Sequence, residues 1–421
     1  MPVMIGFYFS PGKLCRVTQA KSALFPAVCG DFAVGCDTKL HSAKSQKLEQ
    51  PVKNNPASTT SRKRLRDFGV RIGSFEPGPF NAITDVAGVR VGHVTLERGD
   101  GKLKVGEGPV RTGVTAIIPA EGDLWNQKLA AGSFVLNGTG EAAGLMWVQE
   151  SGILENPIVF TNTLSVSAAH IGLLEWMLER YPALGVTDDT PTPMVLECDD
   201  STLNDSRGMH VTPGHVKEAL AMAASGPVAE GCVGAGTGMM TYDFKGGIGT
   251  ASRRLPMDKG GYTVGVILNS NHGRRHNLRV KGHPVGQLIP ELMPTRGQEG
   301  SITVVVATDA PCDARQLSRL AKRAMLGVGR TGGIAYHGSG DVAVAFSTGN
   351  RIPHYPEKAE YTARAISDFW MNDLFEAAAD CTEEAVLNAM LAAKTVIGRD
   401  GNTAHAIPHD RLDVILSGAS S

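Results

Sequence analysis

From Leu65 onward the chain alternates short apolar runs with longer stretches in which apolar residues return every three or four positions. The runs VRVGHV, GVTAIIPA, SFVLNG, NPIVFTN, TPMVLE, YTVGVILN, SITVVVAT and DVAVAFST have strand length. Several are apolar on consecutive residues, which predicts strands covered on both faces. SVSAAHIGLLEWMLERY, HVKEALAMAAS, ARQLSRLAKRAMLGVG and TEEAVLNAMLAAKTVIG carry the helical period. Thr382, followed by Glu383 and Glu384, predicts a capped start for the last of these, with acids in its first turn. Eight or more strands with about five helices predict a layered α/β protein whose sheets lie between helices.

Composition divides the chain in two. KLHSAKSQKLEQPVKNNPASTTSRKR is polar, basic and rich in Ser, Asn and Pro, so it cannot bury enough surface to fold alone. Residues 1–62 are expected to extend from a single domain spanning 63–421. A transit peptide is the alternative reading of the extension, and Asp31, Asp37 and Glu49 count against it. The net charge of -1 excludes a surface that gathers nucleic acid or anionic lipid. Seven cysteines without a CxxC pair argue against a disulfide framework or a structural zinc, and for reduced thiols. No apolar run has the length of a membrane span, and MPVMIGFYFSPGKLC lacks the features of a secretory signal. A soluble, cytoplasmic protein is the expectation.

The chemistry has to be found among fifty glycines. GEGPVRTGVTAI and FVLNGTGEAAG read as turns. GCVGAGTGMM has G-x-G-x-G rather than the dinucleotide spacing and no acidic residue about twenty positions on, so nicotinamide binding is a weak reading. A hydroxyl nucleophile after Gly occurs at Gly249-Thr250 and at Gly300-Ser301. Local chemistry favours the second, because RGQEG is a polar linker and ITVVVA a buried strand. Cleavage there would leave Ser301 with a hydroxyl nucleophile and an α-amine of near-neutral pKa. Ser339 and Asp341, two apart before the next strand, would share one face and could relay a proton, although a turn is the commoner meaning of SGD. Asn269 and Asn271 end YTVGVILN and its continuation, where an amide could donate to an oxyanion or merely form a turn. Glu197 ends a buried strand, where it would cap a loop or meet a cation such as a substrate ammonium.

RLRDFG, NAITDVAGVRVGH, GPVRTGVTAI, VLNGTGE, the segment from Glu197 to LND, GPVAEGCVGAGTGM, FKGGIGTASR, YTVGVILNSNHGRR, GSITVVVATDAP, GVGRTGG, SGDVAVAFST and IPHD stand in order from about residue 64 to 412. In this set the chain resembles the DmpA-type self-processing serine aminopeptidases, which include L-aminopeptidase/D-amino-acid esterases and β-peptidyl aminopeptidases. The resemblance implies a four-layer αββα sandwich, Ntn-hydrolase-like with DmpA/ornithine-acetyltransferase-type connectivity. It implies self-cleavage into an α chain ending at Gly300 and a β chain beginning at Ser301, assembled as a tetramer of such pairs, with no cofactor and no metal. By the same resemblance Ser301 is the nucleophile, Ser339 and Asp341 its supporting pair, Asn271 the oxyanion donor and Glu197 the acid that meets the substrate amine. The substrate would be a short peptide, amino-acid amide or ester. Asp341 stands where some members carry Glu, and Asp199 where an apolar residue often lines the pocket. Two rivals remain open: an acetyltransferase-like enzyme using Thr250, and a non-catalytic binding protein on the same fold.

Overall fold

The computed structural model describes residues 62–297 and 300–418. Residues 1–61, nearly all of the expected extension, lie outside the described residues. Arg62, the last residue of that expected extension, packs onto the body: its guanidinium donates to the Leu391 and Ile407 carbonyls, each at 2.9 Å.

In chain order the strands are β1 (Arg90–Arg98), β2 (Val110–Ile118), β3 (Gln127–Gly138), β4 (Ala142–Ala143), β5 (Ile153–Leu154), β6 (Ile158–Thr161), β7 (Met194–Glu197) and β8 (Met240–Thr241). They continue with β9 (Phe244–Lys245), β10 (Gly247–Arg254), β11 (Thr263–Ser270), β12 (Ile302–Thr308), β13 (Gly340–Pro353), β14 (Val396–Ile397) and β15 (Thr403–Ala404). The helices that matter below are α1 (Leu145–Ser151), α2 (Val166–Arg180), α3 (Pro213–Ala221), α4 (Val285–Leu288), α5 (Ala314–Arg330) and α6 (Met371–Ala392). One sheet has the order β1-β2-β6-β7-β4 and the other β10-β11-β12-β13-β3-β5; β8-β9 and β14-β15 are separate pairs. Near the middle of the larger sheet, β12 runs antiparallel to β11 and parallel to β13.

The unbroken apolar runs have the predicted cause. Along β11, β12 and β13, residues such as Val266, Val304 and Ala343 pack with Leu317, Leu320 and Ala385 of α5 and α6. Their alternates Ile267, Val305 and Val344 instead join Val114, Phe160 and Leu196 of the smaller sheet. Leu173 of α2 with Val216 and Leu220 of α3 belong to that second cluster. Each such Val, Leu, Ile or Phe side chain, wholly removed from water, contributes about 1.5–3 kcal/mol.

One expectation is corrected. The last long helix does not start at Thr382; α6 begins eleven residues earlier and ends at Ala392, short of the expected Gly398. Thr382 lies mid-helix, its hydroxyl donating back to the Ala378 carbonyl at 2.8 Å. Glu384, rather than serving a first turn, is buried between Arg253 at 2.6 Å and Arg66 at 3.0 Å. The glycine-rich GIGTASRR forms strand β10. Among the described residues no helix is long and apolar enough to cross a membrane, and Cys198, Cys232, Cys312 and Cys381 are free thiols.

Candidate active site

Ser301 immediately precedes β12, so it stands at the head of a central strand and is 7% exposed. Its carbonyl accepts the Asn271 N–H at 3.0 Å, and the Cys198 thiol lies 3.5 Å from the same oxygen. Its hydroxyl oxygen accepts the N–H of Gly340 at 3.0 Å. Gly340 opens β13, whose parallel pairing with β12 sets Asp341 opposite Ile302.

The two glycines here are required by close approach. A Cβ on Gly300 would run into the Asn271 carbonyl oxygen and come within 2.8 Å of the Asn271 amide nitrogen. A Cβ on Gly340 would run into the Thr139 carbonyl and lie 3.2 Å from the Ser301 hydroxyl. The Gly300–Ser301 bond is therefore pressed against Asn271, the residue just beyond β11. Asn271 Oδ1 accepts the Met240 N–H at 2.7 Å and its Nδ2 donates to the Asp199 carbonyl at 2.7 Å. Those two contacts orient the amide, nitrogen toward the junction.

Ser339 and Asp341 meet as their spacing predicts, the Ser339 hydroxyl donating to Asp341 Oδ1 at 2.9 Å. Burial pushes the Asp341 carboxyl up to about 6, and the bond from Ser339 offsets part of that rise. The second oxygen, Oδ2, is buried with no hydrogen-bond partner among the described residues. Neither side chain bonds to Ser301 directly; the link is the Gly340 N–H between them. His272 is the ring next to Asn271, and burial pulls it down to about 3, so it stays neutral. Its Nδ1 faces the Ser270 hydroxyl at 3.2 Å rather than Ser301.

Glu197 closes β7 and is 4% exposed. The Glu141 N–H donates to its Oε1 at 3.0 Å and the Thr163 hydroxyl to its Oε2. Burial raises its pKa above the ordinary carboxylate value against those two bonds, and the charges of Asp199 and Glu141 add to the rise. Glu197 lines a cavity of about 240 Å³ with Thr303, Gly340, Gly140 and Leu145. Larger hollows, about 720 Å³ around Arg275 and about 620 Å³ between Phe134 and Ile334, contain none of these groups. Asp199 does not line the 240 Å³ cavity; its carboxylate accepts the Ser201 N–H at 2.9 Å and hydroxyl at 2.8 Å.

The competing junction has a different environment. Thr250 lies inside β10, paired with Ile267, and is 1% exposed. Its hydroxyl donates to the Val266 carbonyl at 2.6 Å and accepts the Ile83 N–H at 2.8 Å, so it joins segments and is not presented to a cavity. Asn269, the other amide considered, is fully buried and its side-chain atoms have no hydrogen-bond partner among the described residues.

Three contributors went unrecognised in the sequence. Asn137 Nδ2 donates to the carbonyls of Tyr336 at 2.8 Å, His337 at 3.3 Å and Ser339 at 2.6 Å, clamping the loop that delivers Gly340. Thr163 holds Glu197, and the Met240 N–H holds Asn271. Asn137 lies in VLNGTGE, where the glycines signal only a turn. Among the described residues no cluster of three or more His, Cys, Asp or Glu side chains is placed to share a metal ion.

The sequence model of peptidase family S58 matches residues 81–404. A β-peptidyl aminopeptidase of Sphingosinicella microcystinivorans is 44% identical over 376 residues, covering 86% of this chain and 93% of its own. The solved structure of a Pyrococcus horikoshii protein is similar at a TM-score of 0.81 and 49% identity, covering 85% of this chain and 99% of its own. That of the L-aminopeptidase D-Ala-esterase/amidase of Ochrobactrum anthropi, described as a prototype for the serine aminopeptidases and a new variant of the Ntn-hydrolase fold, is similar at 0.79 and 41%, covering 84% and 98%.

Proposed function

The chain belongs to peptidase family S58 and is a serine aminopeptidase, and on that premise we propose that Ser301 is its nucleophile, first on itself and then on substrate. The observation that carries this reading is the Gly300–Ser301 peptide itself. It is pressed against the Asn271 amide, its hydroxyl is held by the Gly340 N–H, and the Glu197 cavity opens beside it.

Self-processing runs as an N-to-O acyl shift. The Ser301 Oγ forms a bond to the Gly300 carbonyl carbon, the Gly300–Ser301 C–N bond breaks, and the nitrogen takes the hydroxyl proton. Water hydrolyses the resulting ester, leaving a Gly300 carboxylate and a free Ser301 amine. In turnover the same hydroxyl attacks the first carbonyl of a short peptide, amide or ester. Asn271 and backbone N–H groups stabilise the oxyanion, the leaving amine or alcohol carries away the hydroxyl proton, and water hydrolyses the acyl-enzyme to free the Ser301 hydroxyl. The Ser301 amine, with an ordinary pKa near 8, serves as base together with the Ser339–Asp341 pair.

Glu197 supplies exopeptidase selectivity by meeting the substrate ammonium. A cavity of about 240 Å³ suits one N-terminal residue and is smaller than the roughly 300–1,000 Å³ of sites for drug-sized ligands. Replacing Glu197 by Gln is expected to raise KM about tenfold to a hundredfold with kcat changed only a few-fold, as for losing one charged hydrogen bond. Steady-state rates on an aminoacyl p-nitroanilide measure this. An unchanged KM beside a collapsed kcat would assign Glu197 to chemistry instead.

Asp341 governs the pH dependence of processing, because the precursor has no free Ser301 amine to titrate. Its carboxyl is raised to about 6, so below that pH it is protonated and loses the charge that strengthens its bond from Ser339 and draws a proton from the nucleophile. The expected processing rate of freshly translated precursor rises with pH through about 6, and Asp341→Asn removes that limb. A limb that persists unaltered in the variant belongs to another group.

The remaining features follow from the same reading. Helices α5 and α6, the six-stranded sheet, the five-stranded sheet and helices α2 and α3 form a four-layer αββα sandwich, and residues 63–421 one hydrolase domain. The family resemblance supports a tetramer of αβ pairs, and the cysteines without a CxxC pair support a reducing, cytoplasmic location. Electrophoresis of the purified protein under denaturing conditions tests the whole: two fragments are expected, the smaller beginning SITVV, whereas a single band near 44.4 kDa in active material overturns self-cleavage.

A further inference from the structure

Lys245 is wholly buried, and among the described residues no carboxylate forms an ion pair with it. Its ammonium donates to three carbonyl oxygens: Gly236 at 2.9 Å, Met239 at 2.7 Å and Gly246 at 2.8 Å. Burial pulls its pKa down, with Cys232 and Glu97 opposing, yet three acceptors around one nitrogen match the three donors of the charged form. A buried cation held by backbone dipoles, with the Cys232 thiol as its side-chain neighbour and no carboxylate in contact among the described residues, is costly, and one of those dipoles belongs to a chain that reaches the active site.

Lys245 sits on a hairpin. Met240 pairs with Lys245 and Thr241 with Phe244, leaving Tyr242 and Asp243 as a two-residue turn with φ of 51° and 58°. Both values lie in the left-handed region that such turns demand and that Gly or Asn normally fills. Here Tyr242 is held by its hydroxyl on Thr331 at 2.8 Å and its N–H on the His272 carbonyl at 2.7 Å, and Asp243 Oδ2 accepts the Arg275 N–H at 2.8 Å. The hairpin is thus fastened to the segment that carries Asn271.

The Met239–Met240 peptide joins the two. Its carbonyl accepts from Lys245 and its N–H donates to Asn271 Oδ1 at 2.7 Å. We propose that Lys245 is a positioning and polarising residue for the oxyanion site, acting through the Met239–Met240 peptide to orient Asn271 and strengthen its Nδ2 as a donor. Lys245 only donates, while the Met239–Met240 peptide and the Asn271 amide each accept at one end and donate at the other, and hydrogen bonds in such chains polarise one another in the same direction, most effectively where water is excluded. The glycine-rich GAGTG is accounted for as well: it brings the Gly236 and Met239 carbonyls together on one ammonium. The inference rests on Asn271 being the oxyanion donor.

The test uses the full-length processed enzyme with Lys245→Met, Lys245→Arg, Asn271→Ala and the Lys245→Met/Asn271→Ala double variant. The probes are an aminoacyl p-nitroanilide, an aminoalkyl boronic acid that adds to the Ser301 hydroxyl as a tetrahedral boronate, and the product amino acid. Lys245→Met is expected to lower kcat and boronate affinity by about tenfold, a fraction of the roughly 10²–10³ that removing an oxyanion donor costs. KM and product affinity should stay within about threefold, Lys245→Arg should recover most of the loss, and the double variant should match Asn271→Ala. Should Lys245→Met accumulate as precursor, its cleavage rate is the same readout and Lys245→Arg must restore it. Boronate and product affinities that fall together, or losses that multiply in the double variant, overturn the relay and leave Lys245 a folding residue. Normal turnover by Asn271→Ala overturns both readings, whereas an unaffected Lys245→Met beside a crippled Asn271→Ala overturns the relay alone.

Discussion

Ser301→Ala is expected to run as a single intact chain near 44.4 kDa and to hydrolyse nothing. The loss is of both activities because one atom serves both: the Oγ that would attack the Gly300 carbonyl is the one that later attacks substrate. The Cβ remains, so the packing of a residue that is 7% exposed changes little and the variant should fold as the precursor does. Its far-ultraviolet spectrum and melting temperature should therefore stay near those of unprocessed wild-type chain. Thr250→Ala is the matched control. It removes a buried hydroxyl that bonds to the Val266 carbonyl and the Ile83 N–H, so it should lower stability by about 1–3 kcal/mol while leaving cleavage at Ser301 intact. Cleavage that continues in Ser301→Ala and stops in Thr250→Ala would transfer the nucleophile to β10.

Asn271→Ala is the second large effect, and it acts on the barrier, not on binding. Its Nδ2 lies against Gly300, where the carbonyl of the scissile bond gains charge as the hydroxyl adds. Removing one such donor costs about 10²–10³ in kcat, or roughly 2.7–4 kcal/mol of transition-state stabilisation. KM should change little, since the ammonium contact proposed for Glu197 is untouched. Processing should slow by a similar factor, visible as precursor persisting for hours on a denaturing gel. A kcat within a few-fold of wild type would mean that backbone N–H groups alone form the oxyanion site.

How legible all this is in the sequence depends on what kind of signal each element leaves. The strands of the larger sheet announce themselves because both faces are buried, as Val304 and Val305 pointing into different clusters demonstrate. Helix α6 is obscure for a different reason: its second half is buried almost without interruption, and Thr382, in mid-helix, imitates a cap, while the exposed residues, Asn372 and Glu376, lie ahead of it. Strand β10 hides behind its glycines, yet Gly249 is there because a Cβ would meet the Ala385 carbonyl of α6. In the site, the Gly-Ser pair ahead of an apolar strand and the i, i+2 spacing of Ser339 and Asp341 are local patterns that a sequence can show. Choosing Asn271 over Asn269 is not local. In the sequence it comes from the family resemblance alone; in the structure the antiparallel register of β11 and β12 puts the Asn271 N–H on the Ser301 carbonyl. Asn137, Thr163 and the Met240 N–H act across long sequence separations, through side chains or backbone groups of kinds common to many turns.

The place proposed for the cut within the sheet has a consequence for how the enzyme lasts. β12 is hydrogen-bonded to β11 on one side and β13 on the other, so a break between β11 and β12 severs the chain without opening the sheet. Before that break, folding is unimolecular and its equilibrium independent of concentration. After it, two interleaved polypeptides must find each other again, and loss of structure becomes dissociation, governed by dilution and by the height of the unfolding barrier. The precursor can be a reversible folder while the working enzyme is a one-way product, its lifetime set by a rate and no longer by a free-energy difference.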